Sequence, residues 1–159
     1  MKIYKTNELE KKLNKLHLKY REEKKALITK VPVPFNITDK GLIAQSSTVD
    51  YTGLISGGLF IAFDAKECQS KTSFPISNIH QHQLNYLRFV KDLNGIAFFM
   101  IHMKKLYIDE VFITPITLIE KYCDVDSRRK SIPIKDFNTR WLTPINLYLE
   151  KINEIKHEL

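Results

Sequence analysis

Two strand-like runs separated by three small residues are the feature that most constrains the fold. The runs cover residues 48–55 and 59–66, and Ser56-Gly57-Gly58 lies between them. Two such runs joined by a short glycine-containing segment are typical of an antiparallel hairpin. If the three residues form the loop, Ile55 pairs with Leu59, and this pair sets the register of the whole hairpin. A two-residue loop would shift the pairing by one position.

Helical and strand-like patterns alternate along the rest of the chain. Leucines at the helical period predict a first helix over residues 8–28, with Asn7 and Glu10 as a capping box. The further predicted elements are a short strand or loop through residues 42–44, helices over 78–93, 115–122 and 144–157, strands over 96–102 and 106–113, and a charged loop over 124–130. This order predicts a single α/β domain over residues 1–159, with a mixed β-sheet flanked by helices.

The composition excludes several classes of protein. Of the 159 residues, 43% are hydrophobic and 27% are charged, as in ordinary globular domains. No apolar run approaches the ~18 residues of a membrane-spanning helix, and the polar N-terminus does not resemble a secretory signal. Cys68 and Cys123 form no CxxC pair, which argues against a zinc ribbon and for a reducing compartment. We therefore expect a cytoplasmic protein with no membrane partner.

The positive charge is concentrated at the N-terminus. The chain has a formal net charge of +7, and residues 1–30 hold ten Lys or Arg against four Glu, which leaves +1 for the remainder. A basic cluster on one element is typical of a protein that binds a polyanion such as nucleic acid. Lys11, Lys12 and Lys15 are the candidate contacts to DNA phosphates on this predicted basic helix. A solvated lysine-rich helix would give the same pattern, so charge alone leaves both interpretations open.

Two aspartates and a lysine meet at the end of the predicted hairpin. In the three-residue-loop register Asp50 lies opposite Asp64, and Asp64 and Lys66 share one face of their strand. Like charges that face each other destabilise a sheet, whereas a divalent cation held by both carboxylates explains their presence. The alternative interpretation is the solvated end of a strand, where an acid and a lysine commonly occur.

The spacing of these residues and the sequence around them resemble a known family. Asp50, thirteen intervening residues and then Asp64-Ala65-Lys66 fit the pattern of the PD-(D/E)xK nuclease superfamily. The flanking segments are Gln45-Ser46-Ser47-Thr48-Val49-Asp50-Tyr51-Thr52-Gly53, Ala65-Lys66-Glu67, Lys71-Thr72-Ser73-Phe74-Pro75 and His80-Gln81-His82-Gln83. They closely resemble the RecU-type Holliday junction resolvases, and the likeness is strongest over residues 45–95.

This resemblance implies a restriction-endonuclease-like core and an endonuclease that depends on Mg²⁺, with Mn²⁺ as a substitute. The residues at the family's metal-binding positions are Thr48, Asp50, Asp64 and Gln83. Lys66 matches the lysine that stabilises the transition state, and Glu10 matches a first-helix glutamate near the metal, although a helix cap explains Glu10 as well. The implied substrate is a four-way DNA junction, and the implied assembly is a homodimer. Recombination proteins are further expected partners, of unidentified kind.

Residues 35–44 depart from the family pattern, because the family has a longer, stalk-like projection there. Within this short stalk-like loop only Lys40 is positively charged, and Thr38-Asp39-Lys40-Gly41 predicts a turn. The shortening bears on junction selectivity more than on catalysis, since the catalytic core is expected over residues 45–113.

Four more residues are candidate DNA contacts because of their charge or hydroxyl groups. They are Lys71, Thr72, Arg128 and Arg129. For the two arginines a solvated loop is the alternative. Two other functions also stay open: a catalytically weak or inactive DNA-binding accessory factor of the same fold, and a basic RNA-binding module. The second leaves the paired aspartates unexplained, and nuclease assays on a four-way junction with and without Mg²⁺ test the first.

Overall fold

The computed structural model describes residues 7–45, 47–124 and 127–159. Within these ranges the helices are α1 (Glu8–Glu22), α2 (Gln81–Asp92), α3 (Ile116–Cys123) and α4 (Tyr148–Ile155). The strands are β1 (Ala26–Lys30), β2 (Phe35–Thr38), β3 (Gly41–Ala44), β4 (Tyr51–Ile55), β5 (Leu59–Cys68), β6 (Ser73–Pro75), β7 (Ile96–Met103), β8 (Glu110–Pro115), β9 (Ser131–Pro133) and β10 (Leu142–Pro144). None of the helices in these ranges has the length and apolar content needed to span a membrane.

A six-stranded mixed sheet forms the centre of the molecule, in the order β1-β4-β5-β7-β8-β10. β5 and β7 run parallel, and the other neighbours are antiparallel. Side chains from α1 and α4 pack in one hydrophobic core with one face of the sheet, and those from α2 and α3 pack in a second core with the other face. This arrangement confirms the predicted α/β class and the restriction-endonuclease-like core with helices flanking a mixed sheet.

The hairpin register predicted from the three-residue loop is confirmed. β4 and β5 pair from Ile55 with Leu59 to Tyr51 with Phe63, and the loop glycines Gly57 and Gly58 have φ values of 86° and 73°. These left-handed values are readily adopted by glycine, which has no Cβ. The predicted strand over 48–55 is too long, however, because β4 begins at Tyr51.

The prediction of one basic helix up to residue 28 is wrong. α1 ends at Glu22, and Lys24 takes a left-handed φ of 56°, so that the backbone N–H of Lys25 returns to the carbonyl of Tyr20 at 2.9 Å. Such a left-handed residue ends a helix and reverses the chain. Residues 26–30 then form β1, antiparallel to β4, with Ile28 buried and Leu27 half exposed. Residues 1–6 of the predicted basic segment lie outside the described residues.

The predicted stalk-like loop is a two-stranded hairpin. β2 pairs with β3 from Phe35 with Ala44 to Thr38 with Gly41. The predicted turn is confirmed, because Thr38 donates its hydroxyl to the carbonyl of Gly41 at 3.0 Å, and Gly41 has a φ of 103°. Several apolar side chains of the hairpin remain exposed, including Ile37.

Several other predicted boundaries differ from the structure. The second helix begins at Gln81 and not near Asn78, because residues 76–78 form a separate 3-10 turn. Thr114, the predicted helix cap, is buried within β8, and Pro115 precedes α3 instead. The strand predicted over 106–113 begins at Glu110, and the helix predicted from 144 begins at Tyr148 after a 3-10 turn. The short strands β6, β9 and β10 were not predicted, and residues 125 and 126 of the charged loop lie outside the described residues.

Candidate active site

Asp64 is a carboxylate in the middle of a hydrophobic strand. It lies in the second half of β5 with no exposed surface, on the face that packs against α2. Lys66, two residues further along the strand, shares this face, and its Nζ lies 2.7 Å from Asp64 Oδ2. The predicted placement of the acid and the lysine on one face is therefore confirmed.

Gln83 completes this group from the first turn of α2. Its amide Nε2 donates to Asp64 Oδ1 at 2.8 Å, and its Oε1 accepts from Lys66 Nζ at 2.9 Å. The backbone N–H of His80, which precedes the helix, also points to Gln83 Oε1, at 3.4 Å. Gln83 is buried at 8% exposure, so these contacts satisfy an amide that burial would otherwise destabilise.

Asp50 approaches Asp64 from the neighbouring strand. It lies directly before β4, and its Oδ2 accepts the backbone N–H of Ala65 at 2.9 Å. The paired ladder stops at Tyr51 and Phe63, so Asp50 and Asp64 come one position after its last pair, as the register predicts. The two aspartates therefore meet just before β4 begins, beside the middle of β5.

The electrostatics reflect two acids placed close together. Burial, followed by the negative charge of Asp64, raises the pKa of Asp50 to about 6. Burial also raises the pKa of Asp64, although the neighbouring Lys66 acts in the opposite direction. Carboxyl groups with raised pKa values in a shared site are common at functional centres, and a bound cation would favour their charged form.

Glu10 reaches the same end of the sheet from α1. Its backbone N–H is capped by Asn7 Oδ1 at 2.8 Å, which is one half of the predicted capping box. Its carboxylate forms an ion pair with Lys30 instead of completing that box. Lys30 pairs with Tyr51 across β1 and β4, next to Asp50, and its positive charge lowers the pKa of Asp50. Glu10 thus joins the site through Lys30.

Lys30 lies beside the candidate site and was missed by the sequence analysis, because the first helix was predicted to continue to residue 28 and no strand was predicted over residues 26–30. The signal that could have found it is the alternation of Ala26 and Ile28 before Val31-Pro32. Glu67 was missed as well: its Oε1 accepts the backbone N–H of Leu9 at 2.8 Å and so fixes the start of α1 against the end of β5.

Thr48 does not lie on the strand face that was predicted for it. It precedes β4 in an exposed bend, two residues before Asp50, and forms no hydrogen bond with any part of the chain that the structure describes. Its hydroxyl therefore stays a predicted ligand without a structural contact in its support.

The buried carboxylates fit a divalent cation. Asp64 Oδ2 is buried and accepts no hydrogen bond from the described residues, and Lys66 meets it as an ion pair without hydrogen-bond geometry. Over residues 7–45, 47–124 and 127–159, no three His, Cys, Asp or Glu side chains form a metal-binding cluster. Mg²⁺ typically binds one or two carboxylates together with waters and substrate phosphates. The donor set therefore suits Mg²⁺ better than an enclosed structural zinc site.

The predicted basic contacts on α1 lie on a different flank from Glu10. Lys11, Lys12 and Lys15 are all exposed. Lys12 forms an ion pair of 2.6 Å with Asp109, on the side of the helix opposite to the contact between Glu10 and Lys30. The structure therefore does not bring these three lysines into the carboxylate cluster.

The remaining predicted DNA contacts are spread over three segments. Lys40 is exposed in the turn between β2 and β3, and Lys71 and Thr72 are exposed between β5 and β6. Arg128 is exposed after α3, and Arg129 donates to the hydroxyl of Tyr122 at 3.1 Å. Lys71 and Thr72 lie closest in sequence to Lys66.

Comparison with known proteins identifies relatives across most of the chain. A family model described as recombination protein U (RecU) matches residues 4–153. The Holliday junction resolvase RecU of Staphylococcus epidermidis is 33% identical over 162 residues, which cover 93% of this chain and 76% of that protein. The proteins of the same name from Pediococcus pentosaceus and Ligilactobacillus salivarius are 30% and 35% identical, and the matches cover 95% and 79% of this chain and 84% and 63% of those proteins, respectively.

Proposed function

Because the chain belongs to the RecU family of recombination proteins, we propose that it is an endonuclease that resolves Holliday junctions during DNA recombination and repair. The relatives that match it over most of their length carry the name Holliday junction resolvase. Resolution of a four-way junction requires hydrolysis of a phosphodiester bond in each of two strands.

The observation that carries this proposal is the buried cluster of Asp64, Lys66 and Gln83, with Asp50 beside it. Burial of a carboxylate and an ammonium group inside an apolar sheet lowers stability, and the ion pair between them often does not offset that cost. A structural role alone therefore does not explain why these residues are there. A nuclease needs this combination, because acidic groups hold the cation while a lysine faces the phosphate.

We assign the cofactor as Mg²⁺, with Mn²⁺ as a substitute. Asp50 and Asp64 would hold the ion, and Gln83 and Thr48 are the further predicted ligands. A bound Mg²⁺ supplies positive charge at the scissile phosphate and activates water for attack. The hydrogen bond from Gln83 occupies Asp64 Oδ1, so Oδ2, which lies 2.7 Å from Lys66 Nζ, would be the oxygen that binds the ion.

Lys66 is assigned to the scissile phosphate. Its Nζ already lies among the polar groups of the site, at 2.7 Å from Asp64 and 2.9 Å from Gln83. Its ammonium group would donate to the phosphate oxygens as negative charge develops on them, and would orient the attacking water. Glu10 would act indirectly: it forms an ion pair with Lys30, whose positive charge lowers the pKa of Asp50.

The proposed active form is a homodimer that acts on branched DNA in the cytoplasm. One subunit carries one carboxylate cluster among its described residues, whereas resolution requires two symmetrically placed cuts. A two-fold dimer would present two equivalent sites to opposing strands of the junction. Other recombination proteins are expected partners.

A cutting assay on a synthetic four-way junction with a mobile centre tests the proposal. Each of the four strands is end-labelled in turn, and the protein is added with Mg²⁺, with Mn²⁺ or with a chelator. We expect paired nicks at symmetric positions in opposing strands, in the presence of either metal but not of the chelator. Junction binding without any nicking would instead identify an inactive accessory factor, and preferred binding to RNA would contradict the proposal.

A further inference from the structure

A basic cleft lies between α3 and β9, on a part of the molecule that contains none of the proposed metal ligands. We define the basic cleft by the four cations that line it, Lys121, Arg129, Lys130 and Lys135, together with Asp136. Its volume is about 590 Å³, and all four cationic residues are exposed. The cleft therefore presents positive charge to the solvent along an open surface.

The basic cleft holds more positive than negative charge. Its four cations and one acid give a net +3, whereas residues 31–159 together carry only +1. None of the four cations forms an ion pair with another described residue. On α1 and the turn that follows it, by contrast, Lys12, Lys19 and Lys25 each have a carboxylate partner. Outside the N-terminal segment, the basic cleft is therefore a site of strong positive potential.

The guanidinium group of Arg129 is held in place. Its Nη1 donates to the hydroxyl of Tyr122 at 3.1 Å, its Cζ lies 5.4 Å from the centre of that ring, and the hydroxyl in turn donates to Asp136. The ring of Tyr122 is almost fully buried at 2% exposure, so it forms a rigid support. A fixed guanidinium group loses less conformational entropy when it binds an anion.

The backbone connects the basic cleft directly to the catalytic segment. β9 pairs with β6, which follows the end of β5 after the loop that contains Lys71 and Thr72. The carbonyl of Thr72 accepts the backbone N–H of Ile134 at 2.9 Å, and the carbonyl of Lys130 accepts that of Ile76 at 3.0 Å. The loop after Lys66 and the cleft are therefore parts of one hydrogen-bonded surface.

We propose that the basic cleft binds the phosphodiester backbone of one duplex arm of the DNA, beyond the strand that is cut. This inference rests on the proposed function. The exposed, open arrangement of the cations suits a continuous polyanion better than a small anion, which would need enclosed donors. The carbonyl end of α3 at Cys123 would also repel a single bound anion there, whereas a DNA strand can lie along the rim and contact the long side chains.

The test compares two double variants in which exposed lysines are replaced by glutamine. Lys121→Gln with Lys135→Gln removes two charges from the basic cleft, and Lys24→Gln with Lys156→Gln removes two charges from elsewhere on the surface. Affinity for a four-way junction is measured at several salt concentrations in the absence of divalent metal. We expect the cleft variant to flatten the slope of log affinity against log salt by about 1.8, the value for two lost phosphate contacts. We expect the control variant to leave the slope close to that of the wild type.

Junctions with progressively shorter arms locate the contact. If the cleft holds a duplex arm, the defect of the cleft variant should disappear once the arms no longer reach the cleft. A cleft variant that matches the control variant on long arms, or a defect that is equal on all arm lengths, would overturn the inference. Junction nicking by the wild-type protein is measured in parallel. If the wild-type protein does not nick the junction, the proposed function is rejected, whereas the proposed contact is judged from the binding data alone.

Discussion

Gln83 donates a hydrogen bond to Asp64 Oδ1 over 2.8 Å, and this contact ties the first turn of α2 to the buried part of β5. The oxygen of the same amide accepts from Lys66, so one side chain orients both charged groups. Asp64 Oδ2 is left without a hydrogen bond from the described residues. The geometry of the site therefore depends on where α2 begins as much as on the strand that carries the acid.

Replacement of Lys66 by alanine should slow nicking strongly and leave Mg²⁺ binding intact. Loss of one preorganised electrostatic donor typically costs roughly 10²-fold or more in rate. Single-turnover nicking of a junction at saturating Mg²⁺ measures the effect, and thermal unfolding with Mg²⁺ present controls for loss of structure. A folded variant that nicks at the wild-type rate would show that Lys66 is only a structural partner of Asp64 and Gln83.

Asp50→Asn should have two effects: it should stabilise the metal-free protein, and it should remove the metal-dependent activity. The pKa of Asp50 is about 6 in the folded state against 3.8 as its ordinary value, so between these values the folded protein binds more protons than the unfolded chain. The contribution of Asp50 to stability therefore falls as the pH rises from about 4 to about 6, and stays low above that. Asparagine avoids this loss and can still accept the N–H of Ala65.

Denaturant unfolding of both proteins in chelator, over pH 4 to 8, measures this effect. The stability advantage of the variant should grow between about pH 4 and about pH 6 and then level off, at a gain of roughly 3 kcal/mol. A stability difference between variant and wild type that does not change with pH would mean that burial does not disfavour the charged form of Asp50. Addition of Mg²⁺ at pH 7 should stabilise the wild type more than the variant.

The central hairpin could be predicted from the sequence because its determinants are local. Two glycines fix the loop, and the alternation of side chains along a strand then places Asp64 and Lys66 together. The end of α1 could not be predicted in this way. Leu27 continues the helical period but is 50% exposed, because pairing of residues 26–30 with β4, a non-local contact, prevails over local periodicity. Because β1 was not predicted, the position of Lys30 next to Asp50 was not predicted either.

Replacement of Lys11, Lys12 and Lys15 by glutamine should weaken binding to DNA of every shape. Three lost phosphate contacts would flatten the salt slope by about 2.7, but Asp109 already neutralises part of the charge of Lys12. We therefore expect a change nearer to about 1.8, the value for two contacts. Binding titrations over a range of salt concentrations measure the slope. A slope equal to that of the wild type would show that this flank of α1 is simply solvated.

Shortening of the β2–β3 hairpin should reduce the preference for junctions over linear duplex. The variant replaces residues 38–41 by a two-residue Asn-Gly turn, and Lys40→Gln serves as the control that removes only the charge. We expect the junction-to-duplex affinity ratio to fall for the shortened hairpin, with metal-dependent nicking retained, because we interpret the exposed hairpin as a shortened form of the projection that the resemblance implies. An unchanged ratio would mean that the hairpin is only a connector and that another surface recognises the branch.

The position of Gln83 shows why the site was only partly predictable. The resemblance singled out Gln83, but Asn78 was predicted as the helix cap, which would have placed Gln83 two residues further into the helix. In the structure the 3-10 turn over residues 76–78 delays the helix, and His80 precedes it. The 3-10 turn directly follows β6, and the pairing of β6 with β9 is a non-local contact that local sequence does not indicate.

The most direct test of the proposed site is the nicking of a four-way junction by Asp64→Asn under conditions where the variant still binds it. Asparagine keeps the volume of the side chain but removes the charge that would hold Mg²⁺. Binding is measured without divalent metal, and nicking is then started with Mg²⁺ on the preformed complex. We predict junction affinity close to that of the wild type and no detectable nicking. Nicking at the wild-type rate by the folded variant would remove Asp64 from the active site and contradict the mechanism proposed for this protein.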